Sequence, residues 1–182
     1  MAGLVFIGSF GTAVWGKNDL KTLPILSTST FVTGDLLQWV VASGYMSLAA
    51  ASGNAIGASL LLAGIAMEPA LDPVTGVVKS SVEIVVAREG QRWIVPLYSA
   101  TVASTNPVST TLSASYNFWN NGSGAWAADY DDTTHKYCNV TDFVTEDYPG
   151  WPGVTAAASP AVAYPWVEVE FRGATCAFSG VR

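Results

Sequence analysis

The sequence predicts an all-β protein, a single barrel or sandwich domain of short antiparallel strands. From Phe31 onward, turn residues recur roughly every ten positions, the spacing of an all-β sandwich or barrel. Two apolar runs, 36–41 and 60–67, are short and bounded by Gly, Ser or Asn, which favours buried strands over a long helix. Period-two alternation marks 82–86 and returns at 166–171, WVEVEF.

Taken in order, the chain first shows a segment, 1–30, that differs from the rest. Val5, Phe6, Ile7, Phe10, Val14 and Trp15 lie among small residues, Lys17-Asn18-Asp19 marks a turn, and Pro24 forbids a helix interior. Segment 1–30 reads as an N-terminal arm or a first hairpin ahead of a barrel or sandwich domain at 31–182. An extended arm is favoured, because so many aromatics precede any compact strand pattern, with an edge strand as the competing reading.

The apolar pair follows, separated by Ser52-Gly53-Asn54, and 69–76 is a loop with two prolines. Strand 77–88 then turns tightly at Glu89-Gly90-Gln91 and returns as 92–98, with Trp93, Val95 and Leu97 on one face. This predicts a hairpin, and Pro96, which has no N–H for a ladder, predicts an edge or a bulge in its second strand. Residues 99–115 read as a strand–loop–strand crossing. Residues 116–119 and 125–130 form a second hairpin, whose loop 120–124 (NNGSG) suits positive φ. After a polar turn at 131–137, the segment 138–160 reads as a long irregular loop. Trp166–Phe171 closes the domain, with Val167, Val169 and Phe171 on one side and Trp166, Glu168 and Glu170 on the other.

Composition narrows the function classes. Half of the 182 residues are apolar (50%) and only 12% are charged, about half the usual share for a soluble domain. Such a surface fits a protein packed against neighbours, and equally many extracellular β-modules. The net charge is −6 and the basic residues are scattered singly along the sequence, which disfavours nucleic acid and anionic membranes as partners. Neither apolar run approaches the eighteen or so residues of a membrane helix. The N-terminus has no positive region ahead of its hydrophobic run and is not read as a signal peptide.

No catalytic fingerprint is present, so the chain is read as a non-enzyme without cofactor or metal. His135 is the only histidine, it lies in a polar turn, and no G-x-S-x-G elbow accompanies it. His135, Cys138 and Cys176 fall short of the four ligands of a closed zinc site. The two cysteines read as buried thiols or one optional bridge. Asp129, Asp131 and Asp132 with Thr133 lack the spacing of a calcium loop and read as a solvated turn. Glu168 and Glu170 would stand about 7 Å apart on one strand face, a commonplace arrangement of exposed acids as well as a conceivable glycosidase pair. Trp119, Trp126, Trp151 and Trp166 lie beside Gly-rich turns. They read first as packing or intersubunit anchors, and second as stacking platforms for sugars.

Several short stretches share an order with a known family. Phe31-Val32-Thr33-Gly34-Asp35-Leu36-Leu37 gives an apolar-x-x-Gly-Asp strand start, and Ala63-Gly64-Ile65-Ala66-Met67-Glu68 a Gly-Ile-Ala strand end. The strands 82–86 and 93–97 follow, then aromatic strands with an Asp-rich turn, then a V-x-V-x-F strand at Val167, Val169 and Phe171. In this order the sequence resembles the small β-barrel decoration (cement) proteins of tailed-bacteriophage capsids, over 31–171. Residues 60–62 are more apolar than that pattern, 138–160 looks like an elaboration, and 1–30 has no counterpart.

The resemblance implies a virion structural protein on the capsid exterior, assembled in the host cytoplasm. It would bind the major capsid protein, clamp neighbouring subunits, and form a homo-oligomer, dimer or trimer. The suspected capsid or subunit contacts are Phe6, Phe10, Trp15, Trp119, Trp126 and Trp151. The alternative is a carbohydrate- or receptor-binding β-module on the particle surface.

Overall fold

The two apolar runs become neighbouring strands, as their length and punctuation predict. In the computed structural model, which describes residues 5–9, 20–98, 113–122, 125–144 and 166–178, the strands are β1 (Val5–Ser9), β2 (Leu20–Pro24), β3 (Leu36–Val40), β4 (Tyr45–Leu48), β5 (Asn54–Ala55), β6 (Leu61–Ala66), β7 (Ser81–Val86), β8 (Gln91–Tyr98), β9 (Ser115–Gly122), β10 (Ala125–Asp129), β11 (Cys138–Val144) and β12 (Trp166–Phe171). They form two packed sheets in a sandwich-like, all-β arrangement.

The five-stranded sheet has the order β2-β7-β6-β3-β4, antiparallel throughout. Its edges curl toward each other: Ile25, just past β2, bridges Met46 of β4, and the Leu26 N–H donates to the Met46 carbonyl at 3.2 Å. The seven-stranded sheet runs β1-β8-β10-β9-β11-β12, with β5 on β9 and β12 paired back onto β8. Its β8–β10 and β9–β11 links carry only two residue pairs each. The sheet therefore coils tightly without the even ladder of a regular barrel.

Two cores explain the apolar runs. The larger lies between the sheets and joins Leu36, Leu62, Ile65 and Val85 to Trp93, Phe118, Trp126, Val167 and Phe171. The smaller lies on the other face of the five-stranded sheet, where Leu37, Ala63, Val82, Ile84 and Val86 meet Ile25, Phe31, Met46 and Ala70. A sheet covered on both faces needs apolar residues at consecutive positions, which is why 61–66 reads LLAGIA and 84–86 reads IVV.

Several expectations change. Strands 82–86 and 93–97 exist but do not form a hairpin, because β7 and β8 belong to different sheets. Both edges of β7 are already taken, by β2 and β6. The turn at Gly90 (φ 81°) therefore sends the chain across to the other sheet. Of the predicted arm or first hairpin, residues 1–4 and 10–19 lie outside the described residues. β1 pairs with β8 and β2 with β7, so residues 5–9 and 20–24 contribute a strand to each sheet, and Ile25 and Phe31 share one core. Pro24 is tolerated because β2 is an edge strand.

β8 is an interior strand rather than an edge. Pro96 falls between Ile94, paired to β1, and Leu97, paired to β10, where the ladder on that side is interrupted. The loop predicted over 138–160 begins instead with β11, which pairs with β12 and β9. A register shift between Val140 and Asp142 breaks its period-two signal. Residues 145–160, and 99–112 of the predicted crossing, lie outside the described residues. The β9–β10 hairpin forms as predicted, from Ala125↔Gly122 to Asp129↔Asn117, and β12 buries Val167, Val169 and Phe171 while leaving Glu168 and Glu170 half-buried.

Candidate functional site

The aromatic residues predicted as contacts separate. Trp126 has no exposed surface, and its indole N–H donates to Asp35 Oδ1 at 3.0 Å. It anchors the core and offers nothing to a partner or a sugar. Trp119 is half-buried and stacks on Tyr98, with ring centres 4.7 Å apart and planes 9° from parallel. Phe6 lies on β1 opposite Trp93. Phe10, Trp15 and Trp151 lie outside the described residues.

The polar candidates are occupied by structural work. Glu168 accepts from Thr141 Oγ1 at 2.8 Å and pairs with Arg92 at 3.2 Å. Cys138 and Cys176 are buried free thiols. Burial pushes the Cys138 thiol far above its usual range and that of Cys176 up to about 12, which keeps both protonated and unreactive. Asp129 is buried, and desolvation raises its pKa against the hydrogen bond it accepts from the Asp131 N–H. Among the described residues no three His, Cys, Asp or Glu side chains gather as metal ligands.

Asp132 organises the polar turn. It accepts from Asn117 Nδ2 at 2.9 Å, from the Thr134 and His135 N–H groups at 2.9 and 3.1 Å, and its other close partner is His135 Nδ1 at 2.9 Å. Burial opposes its ionisation, but these bonds outweigh burial and hold its pKa at about 2. A carboxyl depressed below its unfolded value contributes stability above the unfolded pKa and loses it as pH falls through the folded one. Asp132→Ala is therefore expected to cost about 1–2 kcal/mol at pH 6. The gap to the parent should shrink as pH falls from about 4 to 2, as urea melts at pH 6, 4 and 2 would measure.

The feature that sequence reasoning missed is a displayed apolar turn between β6 and β7. Leu71 bridges Val78, the Asp72 N–H donates to the Val77 carbonyl at 2.9 Å, and the Lys79 N–H to the Ala70 carbonyl at 2.9 Å. Asp72 Oδ1 accepts the Val74 and Thr75 N–H groups, both at 2.9 Å, and Gly76 closes the turn at φ 67°. At its base Lys79 pairs with Glu68, which also accepts the Glu83 N–H at 3.0 Å.

On this braced frame Val74 is 90% exposed and Val77 63%, with Leu71 also exposed. The only sequence signal was valine inside a Pro- and Gly-punctuated loop, PALDPVTGVV, which turn chemistry does not require. No helix among the described residues is long and apolar enough to cross a membrane. Compared with protein-family models, curated proteins and solved structures, the chain matches none.

Proposed function

We propose that the protein is a virion structural protein that attaches to the outer surface of a bacteriophage capsid and stabilises the lattice by clamping neighbouring subunits. The observation that carries this reading is the braced turn bearing Val74 and Val77. Apolar side chains held out on a rigid frame lose little entropy on docking, and they gain by leaving water. Nothing in the fold's own stability calls for valine at a position 90% exposed. The sparsely charged composition suits repeated dry contacts, and many copies multiply a modest free energy per contact over a shell. The partner in this reading is the major capsid protein, and the protein itself oligomerises. The sugar-binding alternative loses Trp126 as a platform and retains Trp119.

The test is co-sedimentation of the purified protein with particles of the cognate phage lacking it. The double substitution Val74→Asp with Val77→Asp should leave the melting temperature within about 2 °C of the parent, since neither side chain packs in a core, and should lower occupancy at least about tenfold. Parental occupancy by the folded double variant would remove the turn from the interface and this reading with it.

A further inference from the structure

A cleft of about 330 Å³ opens on a different part of the molecule, where residues 58–61, the turn 134–137 and Ala174 and Thr175 converge. Ser59 and the chain's only histidine, His135, both line it. Two side chains fasten the segment that carries the serine to the turn that carries the histidine. Asn117 Nδ2 donates to the Ile56 carbonyl at 2.7 Å and to Asp132 Oδ2 at 2.9 Å. The Tyr137 hydroxyl donates to the Gly57 carbonyl at 2.6 Å and accepts the Leu60 N–H at 3.1 Å. The phenol thus stands in for the turn's own hydrogen bond, and Ser59 lies between the two residues it clasps.

The backbone of Ser59 is left-handed, at φ 63°, a conformation usually left to glycine. Ser59 is exposed, and among the described residues its hydroxyl makes no hydrogen bond. Backbone strain on a side chain without a local task is the kind that gathers at working sites. His135 is half-buried and oriented by Asp132, whose Oδ2 lies 2.9 Å from Nδ1. Asp132 also accepts from Asn117 Nδ2 and from the Thr134 and His135 N–H groups, bonds that keep it ionised, with a pKa of about 2. A carboxylate can only accept. The hydrogen of the neutral imidazole is therefore on Nδ1, which leaves Nε2 free to act as a base.

We propose that this cleft hydrolyses small acyl esters, with Ser59 as nucleophile, His135 as general base and Asp132 as the positioning carboxylate. Ser59 Oγ adds to the ester carbonyl carbon while His135 Nε2 takes the hydroxyl proton. Collapse of the tetrahedral adduct breaks the bond to the alcohol, which leaves with that proton. Water then gives a proton to Nε2 and its oxygen to the acyl carbon, and the carboxylic acid departs as Ser59 recovers its proton. Lys136 and Thr134 line the same cleft as donors for the oxyanion. Ala58, Leu60, Leu61 and Ala174 give it an apolar wall for the acyl group, and its volume, at the lower end of the range for small-molecule sites, suits a short one. The inference is independent of how the apolar turn is used.

The test has two arms on the full chain. In the first, a fluorophosphonate, which traps an activated serine by forming a P–O bond and releasing fluoride, is followed by mass spectrometry of the peptides. Labelling at Ser59 in the folded protein, and its loss in the urea-unfolded chain, are expected. In the second, p-nitrophenyl butyrate should be hydrolysed with saturation, and Ser59→Gly should lower kcat/KM at least about a hundredfold. Glycine suits φ 63°, so this variant keeps the fold. His135→Gln should lose as much. Asp132→Asn should lower kcat at least about tenfold with KM unchanged, a split that a merely structural role would not produce. No label at Ser59, turnover by Ser59→Gly equal to the parent's, or an unchanged kcat in folded Asp132→Asn would overturn the proposal.

Discussion

Replacing Gly64 by alanine is expected to cost about 3 kcal/mol or more, among the largest effects of any single substitution in this chain. Gly64 lies in the middle of β6, paired to Leu37 on one side and Val86 on the other. A Cβ there would stand 2.0 Å from the Val85 carbonyl oxygen and 2.9 Å from its carbon. Those atoms are backbone, and β7 is held on its far edge by β2, so the clash has no rotamer to escape into. Relief requires β6 and β7 to separate, which opens both cores at once. Gly57→Ala is the control, since its nearest neighbour, Leu60 Cδ1, would be 3.9 Å from the new methyl, and its effect should stay within about 1 kcal/mol. Urea melts of the two variants decide the matter. For a chain of this size the difference corresponds to roughly 6–12 °C in melting temperature. Equal midpoints would mean that the strands tolerate the methyl.

Asp35→Ala should be nearly as costly, at about 3 kcal/mol. Asp35 is 4% exposed, and its two oxygens serve two segments: Oδ2 accepts the Val32 N–H at 2.8 Å and Oδ1 the Trp126 indole at 3.0 Å. The second bond ties the start of β3, in one sheet, to β10 in the other. Alanine leaves two donors without an acceptor, and a buried unpaired donor costs more than the bond itself contributes. A double-mutant cycle with Trp126→Phe, which removes the indole N–H while keeping an aromatic ring, should return a coupling of about 1–2 kcal/mol. Strict additivity would show that the bond contributes nothing beyond its geometry. The Gly-Asp pair that carries part of the resemblance to capsid decoration proteins thus has a structural task in this fold. Gly34 turns the chain at φ 91°, donates to the Ala66 carbonyl at 2.8 Å, and presents Asp35 to Trp126.

The all-β class and most strands were legible in the sequence. Alternation at 82–86 and 166–171, and short apolar runs at 36–41 and 60–67, express how side chains alternate across a sheet and how a doubly covered strand needs apolar residues throughout. The β9–β10 hairpin was legible because its turn is local. The candidate site was less so. Trp126 and Trp119 occupy similar positions beside the same turn, yet one is the centre of the core and the other is half-buried against Tyr98. Strand periodicity assigns a face without saying what covers it. The bulge in β11 hid a strand by breaking its period. Valines at an exposed turn resemble a loop's ordinary variation until Asp72 and Lys79 are seen to brace them.

The sequence by itself determined which segments extend and where they turn, because those properties depend on the residue and its immediate neighbours. Beyond the local β9–β10 hairpin, tertiary structure alone decided which strands pair. β7 could accept β8 by every local rule, and it does not, because β2 and β6 already occupy both its edges. It also decided that the Arg172 guanidinium donates to the carbonyl of Lys136, 36 residues away. Pairing and such long-range contacts are set by competition among distant segments for a limited number of edges and faces, and no window of sequence contains that competition.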